Sequence, residues 1–304
     1  MGNPEDEFPD KPTLSSLTDW ASSALKSRGI DSSRLDAEVI LSHLLGCRRI
    51  DLYAHPDRPV ENTLAAMYQN AIRRRMLSVP LQYITNHTEF MSLDFYVDER
   101  VLIPRPETEL LAEVALQKSQ TMPCEDEFTL VDIGTGSGAI AITLAKKIDK
   151  AMVFAVDISA DALVVARTNA DRHKVLHKIT LLCGDTFEPL KKYSVASKVH
   201  FIVSNPPYIS SDEFPYLQKE VRDYEPYVAL VSGEDGLQIF RRIIAQAKTW
   251  LMPGGYLLFE VGENQAQRVM QLIADTGCFT KPFSIKDYQN IDRIVVAQME
   301  TCCG

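Results

Sequence analysis

Phe128-Thr129-Leu130-Val131-Asp132-Ile133-Gly134-Thr135-Gly136-Ser137-Gly138-Ala139 is the stretch that decides how this chain folds. A strand-like run breaks into three alternate glycines, and an apolar helical period follows at once. Such glycines let the backbone turn sharply and let a ligand approach with no Cβ in the way. The helix N-terminus then presents its free N–H groups to the same point. The spacing is Gly-x-Gly-x-Gly, not the Gly-x-Gly-x-x-Gly of dinucleotide enzymes. By itself such a turn also serves tight strand-to-helix packing.

From Phe128 onward, strands and helices alternate. The expected strands are Phe128–Ile133, Met152–Val156, Ile179–Leu182, Val199–Val203, Tyr256–Val261 and Ile291–Gln298, with helices near Ala139–Ile148, Ala160–Asp171, Gly236–Trp250 and Gln265–Thr276. That alternation predicts an α/β fold with a parallel, doubly wound sheet, whose ligand sits at the carboxyl ends of the strands. The second strand ends at Asp157, twenty-three residues after Gly134, where an acid can accept from both ribose hydroxyls of a nucleotide. The third ends in Cys183-Gly184-Asp185-Thr186, which puts another acid beside the crevice for an adenine amino group. Each acid alone reads more readily as an N-cap or surface residue. Three such features at successive strand ends resemble the Rossmann-like class I methyltransferases that use S-adenosyl-L-methionine.

The fourth strand runs straight into Asn205-Pro206-Pro207-Tyr208. An amide or aniline-type nitrogen is a poor nucleophile because its lone pair is delocalised. The Asn205 side-chain oxygen and the Pro206 carbonyl can each accept one hydrogen of a target NH2, turning its lone pair toward a methyl donor. The prolines stiffen the loop, and Tyr208 offers a face for a planar group. Asn205, Pro206 and Tyr208 are therefore the candidate catalytic residues. The motif points to NH2 methylation without saying whether the NH2 belongs to adenine, guanine or glutamine.

Upstream the pattern is helical from Thr13 to about Met76, with Asp31 or Ser32 as an N-cap, Gly46 as a stop and a third helix from about Asn62 to Arg75. Arg73-Arg74-Arg75 reads as a solvated helix end. Between Leu81 and Val101 the period switches, and Phe90, Met91, Leu93, Phe95 and Val97 predict one or two short strands in a hairpin; a helix is expected after Pro106, and 117–126 reads as a loop. The division is a disordered lead-in over 1–12, a helical domain over 13–80, a hairpin linker over 81–104 and a catalytic domain over 105–300.

The chain has 304 residues, 45% hydrophobic and 24% charged, with 32 basic and 41 acidic residues for a net charge of −9. The composition excludes a disordered or disulfide-scaffold chain. The charge disfavours tight nucleic-acid binding, which needs a basic face. No apolar run is long enough for a membrane span and the N-terminus lacks a signal, so a cytoplasmic protein is expected. Six cysteines (Cys47, Cys124, Cys183, Cys278, Cys302, Cys303) show no metal or disulfide spacing. His173 and His177 lack a third ligand and read as surface histidines, so no metal is expected. Asp212, Glu213 and Glu220 read as solvating acids of a lid.

Further motifs carry a closer resemblance: Pro80 to Ile84, Glu89-Phe90, Val101 to Glu109 (Val-Leu-Ile-Pro-Arg-Pro-Glu-Thr-Glu), Asp132 to Gly138, Ser204 to Tyr208, Glu225-Pro226 with Ala229-Leu230, Gly233 with Asp235 to Leu237, Gly254-Gly255, Glu260 with Gly262 and Gln265, and Asp292-Arg293. From about residue 13 to 298 the chain resembles the HemK-type (PrmC) release-factor glutamine methyltransferases. The resemblance implies a seven-stranded, mostly parallel sheet behind a helical domain that contacts the release factor. It implies methylation of the side-chain amide nitrogen (N5) of the glutamine in the Gly-Gly-Gln motif of class I peptide chain release factors, by a monomer. The cofactor would lie against Gly134, Thr135, Gly136, Ser137, Gly138, Asp157, Asp185, Thr186 and Asn205. The substrate would meet Asn205, Pro206, Pro207, Tyr208, Arg105 and Glu107. Two departures stand out: Asn86 where relatives have glycine, and Thr186 where they often have a larger residue. The rival readings are a glutamine methyltransferase of a large-subunit ribosomal protein and an N6-adenine DNA or RNA methyltransferase.

Overall fold

The computed structural model describes residues 8–122 and 127–301, which divide into two units: one runs to Asn86 and takes in Lys219–Tyr224, the other holds the rest. The first unit is helical, with α1 (Leu14–Ser27), α2 (Ser33–Leu45), α3 (Arg49–Ala54), α4 (Asn62–Met76) and α5 (Leu81–Thr85). Thr13 starts α1 through a reciprocal cap: its hydroxyl accepts from the Ser16 N–H, and its own N–H donates to the Ser16 hydroxyl at 2.9 Å. Left-handed Gly46 closes α2, and Ser32, not Asp31, is its N-cap. Asn86 takes the same left-handed conformation after α5, which its short polar side chain tolerates. Leu17, Leu25, Ile40, Leu41, Tyr68 and Ile72 form the fully buried centre, with the Tyr68 hydroxyl donating to the Ala37 carbonyl at 2.9 Å.

Several expectations for this unit are corrected. Leu81–Thr85 is helical, so the strand period begins only at Thr88. The lead-in is packed from Phe8 on: Phe8 stands edge-on to Trp20 at 4.9 Å, and the Pro12 carbonyl accepts from Val60 N–H at 2.8 Å. Its first seven residues lie outside the described residues. Arg75 is not a solvated end of α4 but is buried, donating to Asp36 at 2.7 Å, to the Val79 carbonyl at 3.0 Å and to Glu220 at 2.8 Å. Glu220 is thereby tied down and does not simply solvate a lid. One rigid guanidinium reaches these three acceptors from two separate nitrogens, Nε and Nη1, a fixed spread that the single nitrogen of an ammonium does not reproduce. Arg75→Lys is expected to lower the unfolding free energy by about 2 kcal/mol, read as an earlier urea midpoint. An unchanged midpoint would mean the fork is not needed.

The second unit opens with a hairpin, β1 (Thr88–Phe90) and β2 (Leu93–Phe95), and α6 (Pro106–Thr121). α6 begins at Pro106 itself, whose fixed φ suits the first helical position. It runs through 117–121, where a loop was expected; 123–126 and Cys124 lie outside the described residues. The α/β part follows as β3 (Phe128–Ile133), α7 (Ala139–Lys147), β4 (Ala151–Asp157), α8 (Ala160–Arg172), β5 (Ile179–Cys183), β6 (Val199–Ser204), α9 (Lys219–Tyr224, the segment counted with the helical unit), α10 (Tyr227–Leu230), α11 (Gln238–Trp250), β7 (Leu251–Glu260), α12 (Ala266–Ala274), β8 (Phe283–Lys286) and β9 (Asp292–Gln298).

Seven strands form one sheet in the order β5-β4-β3-β6-β7-β9-β8, parallel except at β9, as the family resemblance implied, although the residue pattern alone showed only six of them. Successive residues of the central strands enter opposite cores. Leu130, Val153, Phe201 and Leu258 pack with α6 and α7, whereas Val131, Phe154, Ile202 and Leu257 pack with α11 and α12. Burial on both faces makes these strands continuous apolar runs. Chain direction across the sheet reverses between adjacent β3 and β6, which opens a crevice at their carboxyl ends. Among the described residues, no helix is long and apolar enough to cross a membrane.

Candidate active site

A cleft at that crevice is lined by residues following β3, β4, β5 and β6, together with Arg100 to Leu102, Pro226, Val228, Ala229, Ile239 and Arg242. After β3 the chain turns through Gly134, Gly136 and Gly138, all at positive φ. Gly134 and Gly136 face the cleft. Thr135, Ser137 and Gly138 shape the loop instead. The Thr135 hydroxyl donates to Asp132 at 2.7 Å, and the Ser137 carbonyl accepts from buried Asn169 at 2.9 Å. Gly138 lets α8 approach: a Cβ there would meet Ile142 at 2.9 Å and Ala166 at 3.3 Å. Burial pushes the Asp132 carboxyl up to about 7.

Asp157 lines the cleft at the end of β4. One of its oxygens accepts from Gly136 N–H at 2.8 Å and the other from Ser159 N–H at 2.9 Å. Each carboxylate oxygen keeps a lone pair, so the acid can hold the glycine loop and still accept from a diol. Burial pushes this carboxyl upward. Ile158, next along, lines the cleft at 57% exposure, an aliphatic face offered to a flat ligand. After β5, Asp185 is ion-paired with Arg242 of α11. Thr186 lines the cleft at φ 48, a strained conformation for a β-branched residue, and accepts from Gln246 at 3.4 Å.

The candidate reactive loop leaves β6 beside the glycine loop. The buried Ser204 hydroxyl donates to the Ile133 carbonyl at 2.7 Å and ties the two strand ends together. Asn205 and Pro207 line the cleft, and Pro206 is buried. Asn205 Nδ2 donates to the Thr108 hydroxyl at 3.0 Å. The Tyr208 carbonyl accepts from Gln265 at 2.8 Å, and Gln265 in turn accepts from Gly262 N–H at 3.0 Å. A Cβ on Gly236 would lie inside contact distance of that carbonyl, and one on Gly262 would meet the Tyr208 ring at 3.0 Å. Burial pushes the Tyr208 phenol up to about 12, so it stays neutral. Glu260, buried at the end of β7, is pushed up to about 7 by burial while the Thr108 hydroxyl holds it down.

Arg105 and Glu107 are not among the residues lining this cleft. Arg105 donates to Glu225 at 2.6 Å, bracing the segment that leads into α10. Glu107 borders a separate groove with Glu109, Glu113 and Tyr288. Glu213 caps its own turn through Ser210, and His173 bonds the Asp94 carbonyl at 2.7 Å. Among the described residues, Cys47, Cys183 and Cys278 form no disulfide; Cys302 and Cys303 lie outside the described residues. Arg242, Gln246, Asn169, Gln265 and Thr108 were not assigned roles from sequence, because nothing in helix periodicity distinguishes them from other polar residues. Gln265 and Thr108 did fall inside motifs quoted above.

A nucleoside-bearing sulfonium fits these residues. The bare glycine backbone, a diol-accepting acid and the aliphatic walls Ile133, Val156 and Ile158 suit its neutral parts. The cleft's arginines are each paired with an acid, Arg100 with Asp98 and Arg242 with Asp185, so neither opposes a cation.

Known proteins match most of the chain. Residues 16–85 match the PrmC N-terminal domain and residues 108–219 the methyltransferase small domain. The release factor glutamine methyltransferase of Geobacter sulfurreducens is 40% identical over 289 residues, covering 95% of this chain and 98% of that protein. That of Chlorobaculum tepidum is 41% identical over 266 residues, covering 87% and 90%. The solved hMettl16 catalytic domain in complex with MAT2A 3'UTR hairpin 6 shares 14% identity at a TM-score of 0.50, covering 81% of this chain and 86% of that one, a likeness of fold alone.

Proposed function

The chain belongs to the release factor glutamine methyltransferase family, and on that premise we propose that it transfers the methyl of S-adenosyl-L-methionine to the side-chain amide nitrogen of the glutamine in the Gly-Gly-Gln motif of peptide chain release factors. One observation carries the assignment to this cleft: Asn205-Pro206-Pro207-Tyr208 leaves β6 beside the glycine loop that leaves β3, with Asn205 lining the same cleft as Asp157.

When bound, the donor supplies a methyl on a cationic sulfur, activated enough that the amide needs no prior deprotonation. Gly134, Gly136, Asp157, Asp185 and Thr186 hold the donor. Thr135, Ser137 and Gly138 set the loop's path. Asn205 Oδ1 and the Pro206 carbonyl each accept one hydrogen of the target NH2, which fixes that nitrogen and frees its lone pair from the carbonyl. Such positioning is where this enzyme's rate comes from. Tyr208 and Pro207 confine the planar amide. Tyr208 is a neutral phenol and removes no proton before transfer. The N-methylated product is acidic enough to lose its extra proton to water.

The helical unit is the docking surface for the release factor, supported by exposed Leu35, Ile50, Tyr53, Met67 and Leu77. The protein acts as a cytoplasmic monomer and binds no nucleic acid tightly, in keeping with its net charge of −9. The test is a tritiated-methyl assay offering release factor, its Gly-Gly-Ala variant, a large-subunit ribosomal protein and duplex DNA side by side. Label on the release factor alone, lost in Gly-Gly-Ala, is expected. Label on the ribosomal protein or DNA instead would overturn the reading.

A further inference from the structure

Among the described residues, two cations line the cleft, Arg100 and Arg242. Arg242, ion-paired with Asp185, stands by the end of β5. Arg100 belongs to a segment fastened at both ends. Buried Asn169 accepts from Tyr96 N–H at 2.8 Å and donates to the Tyr96 and Ser137 carbonyls, both at 2.9 Å, which ties the start of the segment to the glycine loop. Thr108 ties its end to Asn205 at 3.0 Å. The chain thus crosses from the loop after β3 to the loop after β6, and Arg100, Val101 and Leu102 line the cleft on the way. A turn at Asp98 presents the arginine. Val101 N–H donates to the Asp98 carbonyl at 3.1 Å, and Arg100 N–H to Asp98 Oδ1 at 3.1 Å, bonds typical of an aspartate that opens a turn. The Arg100 side chain folds back on the same acid, with Nε donating to Oδ1 at 2.8 Å and Nη2 to Oδ2. The Tyr96 hydroxyl also donates to Oδ2, at 2.8 Å. Asp98 is 7% exposed, whereas the Arg100 side chain is 34% exposed. A guanidinium carries five N–H groups in a rigid, planar array. Asp98 takes the edge formed by Nε and Nη2, and the edge formed by Nη1 and Nη2 still carries donors that match a second carboxylate.

We propose that Arg100, held in place by Asp98, binds the α-carboxylate of the methyl donor. It rests on the reading of this cleft as the donor's site. S-adenosyl-L-methionine carries that carboxylate as its single anionic group, and the cleft acids Asp157 and Asp185 repel it. With the adenine at Asp185 after β5 and the ribose at Asp157 after β4, the strand order leaves the sulfur and the amino-acid end to the β3 and β6 side, where the Arg100 segment crosses. The Arg100–Asp98 pair is neutral as a whole. The carboxylate therefore meets a fork of donors, while the ammonium and sulfonium of the same ligand meet no net positive charge.

The test is calorimetry with two ligands, S-adenosyl-L-methionine and its decarboxylated analogue, which lacks that carboxylate alone. The wild-type protein is expected to bind the analogue about 10- to 100-fold more weakly, the scale of a charge-assisted pair of hydrogen bonds. Arg100→Ala should lose about that factor toward S-adenosyl-L-methionine and change by less than about threefold toward the analogue, so that the ratio of the two Kd values falls close to one. Removing Arg100 alone strands a buried acid. Asp98→Asn combined with Arg100→Gln keeps a neutral, hydrogen-bonding pair, and the same collapse of the ratio is expected there. Partial unfolding weakens both ligands by one factor and leaves the ratio untouched. A wild-type ratio near one, or a ratio in Arg100→Ala as large as in the wild type, would overturn the proposal. Asp157→Ala tests the reading beneath it, and both ligands should then bind at least about tenfold more weakly. Unchanged binding of both would show that the donor lies elsewhere, and the proposal would fall with that reading.

Discussion

Asn205→Ala is expected to lower kcat for release-factor methylation by about a thousandfold, the scale of removing one preorganised polar contact at a reacting centre. The loss falls on chemistry if, as proposed, Asn205 supplies one of the two acceptors that hold the target nitrogen. The cleft keeps its glycine loop, Asp157, Ile158 and Asp185 unchanged, so the donor's Kd measured by calorimetry should move by less than about threefold, under 1 kcal/mol. Asn205→Asp is expected to fare little better. It retains an acceptor oxygen, yet it loses the Nδ2 donor that meets the Thr108 hydroxyl and adds a negative charge to the cleft that already holds Asp157. Methylation by Asn205→Ala within tenfold of wild type would show that the nitrogen is held by other groups.

Gly236→Ala is the second large effect, about a hundredfold in kcat. Gly236 has φ 72, and its added Cβ would fall inside contact distance of the Tyr208 carbonyl and 2.7 Å from Gln265 Nε2. Real Cβ atoms do not come that close to a backbone oxygen, so the Tyr208 backbone or Gln265 must move by several tenths of an ångström or more. A misplacement of about 1 Å at a reacting centre costs on the order of a hundredfold. Backbone strain at the left-handed position adds about 1 kcal/mol to the loss of stability. Gly277→Ala separates the two contributions. Gly277 has φ 63 with nothing within 4 Å of its would-be Cβ, so it should lose a similar amount of stability and keep its kcat. Equal kcat values for the two variants would show that crowding of Tyr208 does not matter.

Much of the catalytic fold was legible because its strands are buried on both faces. Val131 and Leu130 enter different cores, yet both must be apolar, so β3 reads as a continuous run ending at its glycines. The edge strand β8 escaped notice for the opposite reason: Phe283 is 45% exposed and the strand has no buried face to impose a period. β7 begins five residues before the expected Tyr256, since Pro253, Gly254 and Gly255 read as a turn. A β-bulge against β6 at Val199–Phe201 absorbs that irregularity. Arg75 read as solvated because a helix-terminal arginine carries no local sign of its partners. Asp36 and Glu220 lie 39 residues before it and 145 after it.

The chain by itself determined the alternating fold, the glycine loop at Gly134 to Gly138, Asp157 and the Asn205 loop, because each is written within a few consecutive residues whose chemistry is local. Tertiary structure alone decided what those residues are held by. Asn205 meets Thr108 across 97 residues, Asp185 meets Arg242 across 57, and Tyr208 is gripped by Gln265 across 57. Hydrogen bonds between distant positions leave no spacing rule in the sequence. They exist only once the sheet brings the carboxyl ends of β3, β5, β6 and β7 to one side, where side chains far apart in the chain come within hydrogen-bond reach.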